Sequence, residues 1–206
     1  MSHTGGGRVP AYAGQADANR AFARRLAADS IAGGDDTGWF ETLYAAAGRG
    51  AATVPWADPA PNPRMVRALA DGGGGRAVVI GCGLGDDAEH VASLGFSTVA
   101  FDVSPTAVAT ARRRFPRSAV EYVTADLLSP PHSWTGAFDL VVEVYTLQVL
   151  TGAARRGAPP SRGPPSWSRP AAGCWSSPGR ATSTTTRARC PGRSPAPRSS
   201  LFAGTG

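Results

Sequence analysis

Three glycines and three carboxylates are spaced in this chain as a nucleoside-binding edge would need them. Gly81, Gly83 and Gly85 alternate with Cys82 and Leu84 directly after the apolar run Ala77-Val78-Val79-Ile80. Lacking Cβ atoms, such a turn can take positive φ and let a ligand approach the main chain. About twenty residues on, Asp102 closes the run Ser97 to Phe101, where an acidic side chain accepts hydrogen bonds from both ribose hydroxyls. Asp126 follows the run Val120 to Thr124 and could accept from the exocyclic amine of an adenine. Glu143 and Tyr145 stand at the end of a fourth run, Phe138 to Val144. Glu143 is a candidate to orient or deprotonate a reacting group, with a structural role at the strand end as the alternative.

For these groups to meet, the four runs must lie side by side with their carboxyl ends on one edge. The first of these runs, Ala77 to Ile80, is short and continuously apolar, the pattern of a strand buried on both faces of a parallel sheet. Helical stretches alternate with them: one capped by Asp86 or Asp87 and running to Leu94, another opened by Ser104 or Pro105 and running through Arg114. The alternation predicts an α/β, Rossmann-like, doubly wound sheet. Ahead of it the spacing predicts helices over 16–31, 39–44 (capped by Asp36 or Thr37) and 64–70. The proline-rich stretch 54–63 between them reads as a stiff loop.

The series Val79-Ile80-Gly81-Cys82-Gly83-Leu84-Gly85, Phe101-Asp102-Val103-Ser104-Pro105, Thr124-Ala125-Asp126-Leu127 and Phe138-Asp139-Leu140-Val141-Val142-Glu143 resembles the class I methyltransferases that use S-adenosylmethionine. Within that class it is most similar to the bacterial thiopurine methyltransferase-like group. The resemblance covers roughly Trp39 to Ala154. It implies that Gly81, Cys82, Gly83 and Gly85 pass beneath the methionine and ribose portions of the cofactor. Asp102 with Val103 then serves the ribose, and Asp126 with Leu127 the adenine. Trp56 would stack near the adenosyl group or close the transfer chamber, which Glu143 and Tyr145 border; a rigid linker whose Trp56 simply docks on the core is the alternative. The implied acceptor is a small nucleophile such as a thiol. One position departs from the pattern: Val79 stands where many class members carry an acid. A nicotinamide-dependent oxidoreductase shares the strand, glycine turn and ribose-binding acid, but the turn here is Gly-x-Gly-x-Gly and Asp126 would have no duty there. An inactive cofactor-binding fragment is the third reading.

Charge divides the 206 residues sharply. All fifteen acids lie at or before Glu143, whereas seven of the twenty-one arginines lie beyond Gly157. The net charge of +6 therefore belongs to the tail, and no nucleic-acid partner is expected for the domain. Cys82, Cys174 and Cys190 show neither disulfide nor metal-ligand spacing, and His3, His90 and His132 read as dispersed surface residues. No metal is expected. With no leader pattern and no membrane-spanning run, a soluble, cytoplasmic protein is expected.

Three segments follow: 1–35, a loose stretch and a helix; 36–156, the cofactor-binding domain; and 157–206, an Arg-, Pro- and Ser-rich tail without strand or helix periodicity. A class I methyltransferase would continue with further strands, so the sheet is expected to lack its C-terminal strands and to leave the fourth as an exposed edge. The tail is either a natural basic extension or a product of frame loss near Gly157. The second fits a chain without lysine and rich in Ala, Arg, Gly and Pro, residues of G- and C-rich codons.

Overall fold

The computed structural model describes residues 11–150 and 168–176. At its centre β1 (Arg76–Ile80) pairs with β2 (Ser97–Asp102) on one side and β4 (Phe138–Glu143) on the other. β3 (Glu121–Thr124) lies outside β2 and β5 (Ser168–Ser176) outside β4, giving the all-parallel order β3-β2-β1-β4-β5. The continuous apolar runs are explained by burial on both faces. Ala77 and Val79 join Met65, Val91, Ala100 and Val108 in one core, while Val78 and Ile80 join Phe101, Trp134, Phe138 and Val141 in the other.

Helices α4 (Asp86–Ser93) and α5 (Pro105–Arg114) follow β1 and β2 as their sequences require. Ser104 caps α5, accepting from the Ala107 N–H at 3.0 Å. The cap of α4 is not an aspartate: Gly85 takes it at φ 96°, and Asp86 and Asp87 fall inside the first turn, where their charge meets the helix dipole. Asp86 pairs with Arg114 (Nη2 to Oδ1, 2.9 Å), and Arg112 donates to the Tyr122 carbonyl. The basic end of α5 is thus held by specific partners as well as by the helix dipole.

The N-terminal helix α1 (Ala11–Ala32) starts earlier than its spacing indicates. α2 (Gly38–Gly48) runs a turn beyond Tyr44, and α3 (Pro63–Ala68) stops before Ala70. Thr37 takes the N-cap position of α2 without a side-chain capping bond; Asp35 Oδ1 accepts from the N–H groups of Thr37 (3.1 Å) and Gly38 (2.7 Å). Ala23, Trp39, Leu43, Tyr44 and Val54 pack with Ala107 of α5 as a third cluster over the sheet's carboxyl edge.

The expectation of an exposed fourth strand is overturned for 168–176. β5 pairs in parallel with β4, setting Gly173, Cys174, Trp175 and Ser176 against Leu140, Val141, Val142 and Glu143. Pro170 is tolerated because it falls at a register break between the Phe138–Ser168 and Leu140–Gly173 pairs, where no ladder donor is required. The rest of the 157–206 tail lies outside the described residues. No helix among the described residues is long and apolar enough to cross a membrane.

Candidate functional site

A cleft opens beyond the carboxyl ends of β1, β2, β3 and β4, the crevice where open α/β sheets take ligands. Gly81, Asp102, Val103, Asp126, Leu127, Tyr145 and Trp56 line it, so seven of the residues singled out in the sequence come together there. Cys82, Gly83, Gly85 and Glu143 do not line it.

The glycine turn is shaped as much by protein neighbours as by ligand access. At Gly85 an added Cβ would stand 2.5 Å from the Tyr122 hydroxyl and 3.2 Å from the Ala111 Cβ. At Gly83, with φ 51°, it would stand 2.8 Å from the Tyr44 hydroxyl. Positive φ at both glycines, with the Tyr44 and Tyr122 hydroxyls this close, favours the absence of a side chain at each. Cys82 is buried within the turn, its N–H donating to the Phe101 carbonyl at 2.9 Å. Burial, with the nearby Asp102 charge, pushes its thiol well above the usual range, so it is an inert packing residue.

Asp102 joins two loops. Its Oδ2 accepts from the Gly83 N–H (3.0 Å) and its Oδ1 from the Ser104 N–H (3.0 Å), at 6% exposure. Burial raises its pKa, against the opposing pull of the amides of Ser104, Gly83 and Val103. Its carbonyl also accepts from the Ala125 N–H at 3.1 Å, drawing the end of β3 alongside. Asp126 then closes its own turn, Oδ1 accepting from the Leu128 N–H at 2.8 Å.

Glu143 is committed elsewhere. Its Oε1 accepts from the N–H groups of Thr146 (2.6 Å) and Leu147 (2.9 Å), and the residue is 2% exposed. This carboxylate closes the turn after β4, away from the cleft surface. Within the turn Tyr145 takes φ 60°, rare for a residue with a side chain, and stands 44% exposed at the cleft.

Three aromatics ahead of β1 complete the walls. Trp56 donates from Nε1 to the Tyr44 hydroxyl at 3.4 Å, and the Phe40 ring lies 6.2 Å from Trp56 in an edge arrangement. Tyr44 is buried, and burial together with the Asp102 charge pushes its pKa far above the usual range. Its phenol keeps its proton at the cleft wall. The loop bearing Trp56 is moored by Asp87, whose Oδ1 accepts from the Asn62 N–H at 2.6 Å. The sequence does not single out Tyr44, whose place at the site is set by tertiary packing of α2. Thr146, Val149 and Leu150 also line the cleft without any sequence signal. Among the described residues no cluster of His, Cys, Asp and Glu could hold a metal ion.

Residues 77–158 match the family model described as a methyltransferase domain. No curated protein matches the chain. A solved structure described as the conversion of a disulfide bond into a thioacetal group during echinomycin biosynthesis is 28% identical, with a TM-score of 0.54. The match covers 66% of this chain and 59% of that one. The N-methyltransferase NodS from Bradyrhizobium japonicum WM9, in complex with S-adenosyl-L-homocysteine, is 26% identical, with a TM-score of 0.45 and coverages of 57% and 63%. An S-adenosylmethionine-dependent methyltransferase from Mesorhizobium loti is 24% identical, with a TM-score of 0.44 and coverages of 55% and 51%. The chain thus spans between half and two thirds of the length of each.

Proposed function

From the Rossmann-like α/β fold of the class I methyltransferases and the methyltransferase-domain match over 77–158, we propose that this chain binds S-adenosyl-L-methionine in the cleft and directs its methyl group to a small nucleophile. The observation that carries the reading is the convergence of Gly81, Asp102 and Asp126, from the ends of β1, β2 and β3, on one cleft. Asp102 would hold the ribose, its position fixed by the Gly83 and Ser104 amides. Asp126 and Leu127 would meet the adenine, and the glycine turn would lie beneath the methionine portion.

When bound, the cofactor supplies a methyl group on a sulfonium centre, which departs as a neutral thioether. The protein's work is then to align donor and acceptor and to exclude water. Phe40, Tyr44 and Trp56 give the cleft an aromatic wall suited to that exclusion. The protonated Tyr44 phenol can donate a hydrogen bond but cannot serve as a base. Tyr145, set at the mouth by its turn, borders the acceptor's approach, with Glu143 positioning it from behind. A soft acceptor such as a thiol accords with the thiopurine methyltransferase-like pattern, and with the sulfur chemistry named for the echinomycin structure.

Calorimetric titration with S-adenosylmethionine and, separately, NADH tests this reading. Saturable heat is expected with the first and none with the second. No binding of S-adenosylmethionine, or binding of NADH in its place, would overturn it.

A further inference from the structure

β5 stands where the topology calls for a parallel neighbour to β4, yet its Gly173-Cys174-Trp175-Ser176 segment has none of the branched aliphatic residues that fill β1, β2 and β4. The codons for that segment hold a second message. Consider them read from the third base of one codon through the second base of the next. Cys174 (TGC or TGT) followed by Trp175 (TGG) then yields CTG or TTG, leucine in either case. Trp175 followed by a TCN serine at 176 yields GTC, valine. On the flanks, Gly173 into Cys174 yields NTG, which is Val, Leu or Met. Ser176 into a TCN serine at 177 yields NTC, which is Ile, Val, Leu or Phe.

With TCN serines at 176 and 177 the overlapping frame reads apolar-Leu-Val-apolar across the residues paired with Leu140, Val141, Val142 and Glu143. That is the continuous run expected of a strand buried in a parallel sheet. Its surroundings agree. The junctions Pro170 to Ala171 and Ala171 to Ala172 yield NGC, glycine wherever the third base is G, as suits a turn into a strand. Junctions within Thr184-Thr185-Thr186 yield NAC, aspartate under the same condition, returning the acids that are absent after Glu143. The methyltransferase-domain match ends at residue 158, beside Gly157, where the prolines and arginines begin.

We propose that the chain beyond about Gly157 is translated out of register, and that the intended neighbour of β4 is a strand encoded in this overlapping frame across the codons for Gly173 to Ser177. The inference rests on base triplets and sheet topology, independent of which ligand the cleft takes.

Two measurements test it. The gene sequence should show the overlapping frame open from codon 158 through codon 206, with TCN serines at 176 and 177. A stop codon in that frame, or AGY serines at those positions, would overturn the proposal whatever the protein does. A chain returned to the overlapping frame by a base inserted at codon 157 should melt cooperatively, at a Tm higher by roughly 10 °C or more than the 206-residue chain, without ligand. It should also slow amide hydrogen exchange over Leu140 to Glu143. An equal or lower Tm with unchanged exchange would overturn the structural half of the claim.

Discussion

β2 and β4 both end in a buried carboxylate that accepts from backbone amides, yet only one of the two faces the cleft. Asp102 reaches across to Gly83 as well as forward to Ser104, and so ties the glycine turn to the start of α5. Glu143 reaches forward, to Thr146 and Leu147, and closes its own turn. An acid at a strand's carboxyl end thus has two uses. One that bridges neighbouring strand ends stays at the cleft surface; one that caps its own turn sinks beneath it and sets the next side chain, here Tyr145.

Exchanging the two acids for alanine should separate these uses. Asp102→Ala should weaken S-adenosylmethionine binding by about 100-fold, equivalent to roughly 3 kcal/mol, because both the proposed ribose acceptor and the hold on Gly83 are lost. Calorimetric titration reads the change, and an unaltered affinity would erase the distinction. Glu143→Ala should lower stability by about 2 kcal/mol, since two amides lose their acceptor, while cofactor affinity stays within about threefold. Denaturant unfolding and the same titration check both halves.

A smaller effect sharpens the picture on the β2 side. Glu41 of α2 accepts from the Ser104 hydroxyl (2.6 Å), the Thr106 hydroxyl (2.5 Å) and the Thr106 N–H (3.1 Å), pinning α2 to the turn behind Asp102. Burial opposes its charge, but these bonds prevail and leave its pKa below the ordinary 4.5. Its contribution to stability is therefore complete above pH 4.5 and disappears as the pH falls through the lower folded value. Glu41→Gln should destabilise the protein by about 1 kcal/mol at pH 7 and by progressively less in acid. Unfolding curves along a pH series test the slope.

β1, β2, β4 and the glycine turn were legible because burial on both faces leaves a nearly continuous apolar run, and β3, half-exposed at Glu121 and Thr124, because like them it ends at a polar residue on the same edge. Asp102 and Asp126 were legible for the same reason. The use of Glu143 was not: whether a strand-end acid bridges or caps depends on the path of the next few residues, and Tyr145-Thr146-Leu147 carries no motif for it. The α4 cap was misread because two aspartates imitate a cap where Gly85, in the left-handed region, already supplies one. β5 escaped notice because Ser168–Ser176 has neither alternation nor an apolar run, and only β4 beside it shows what the position requires.

The strand order carries a consequence for synthesis on the ribosome. β1, β2 and β3 are joined by successive crossovers and lie as consecutive neighbours, so that flank can assemble as it emerges. The other side of β1 must wait for β4, some sixty residues further along, as the Val79–Val142 pairing shows. During that interval the nascent chain presents an open strand, and pauses in elongation between β3 and β4 prolong its exposure to chaperones and to other nascent chains.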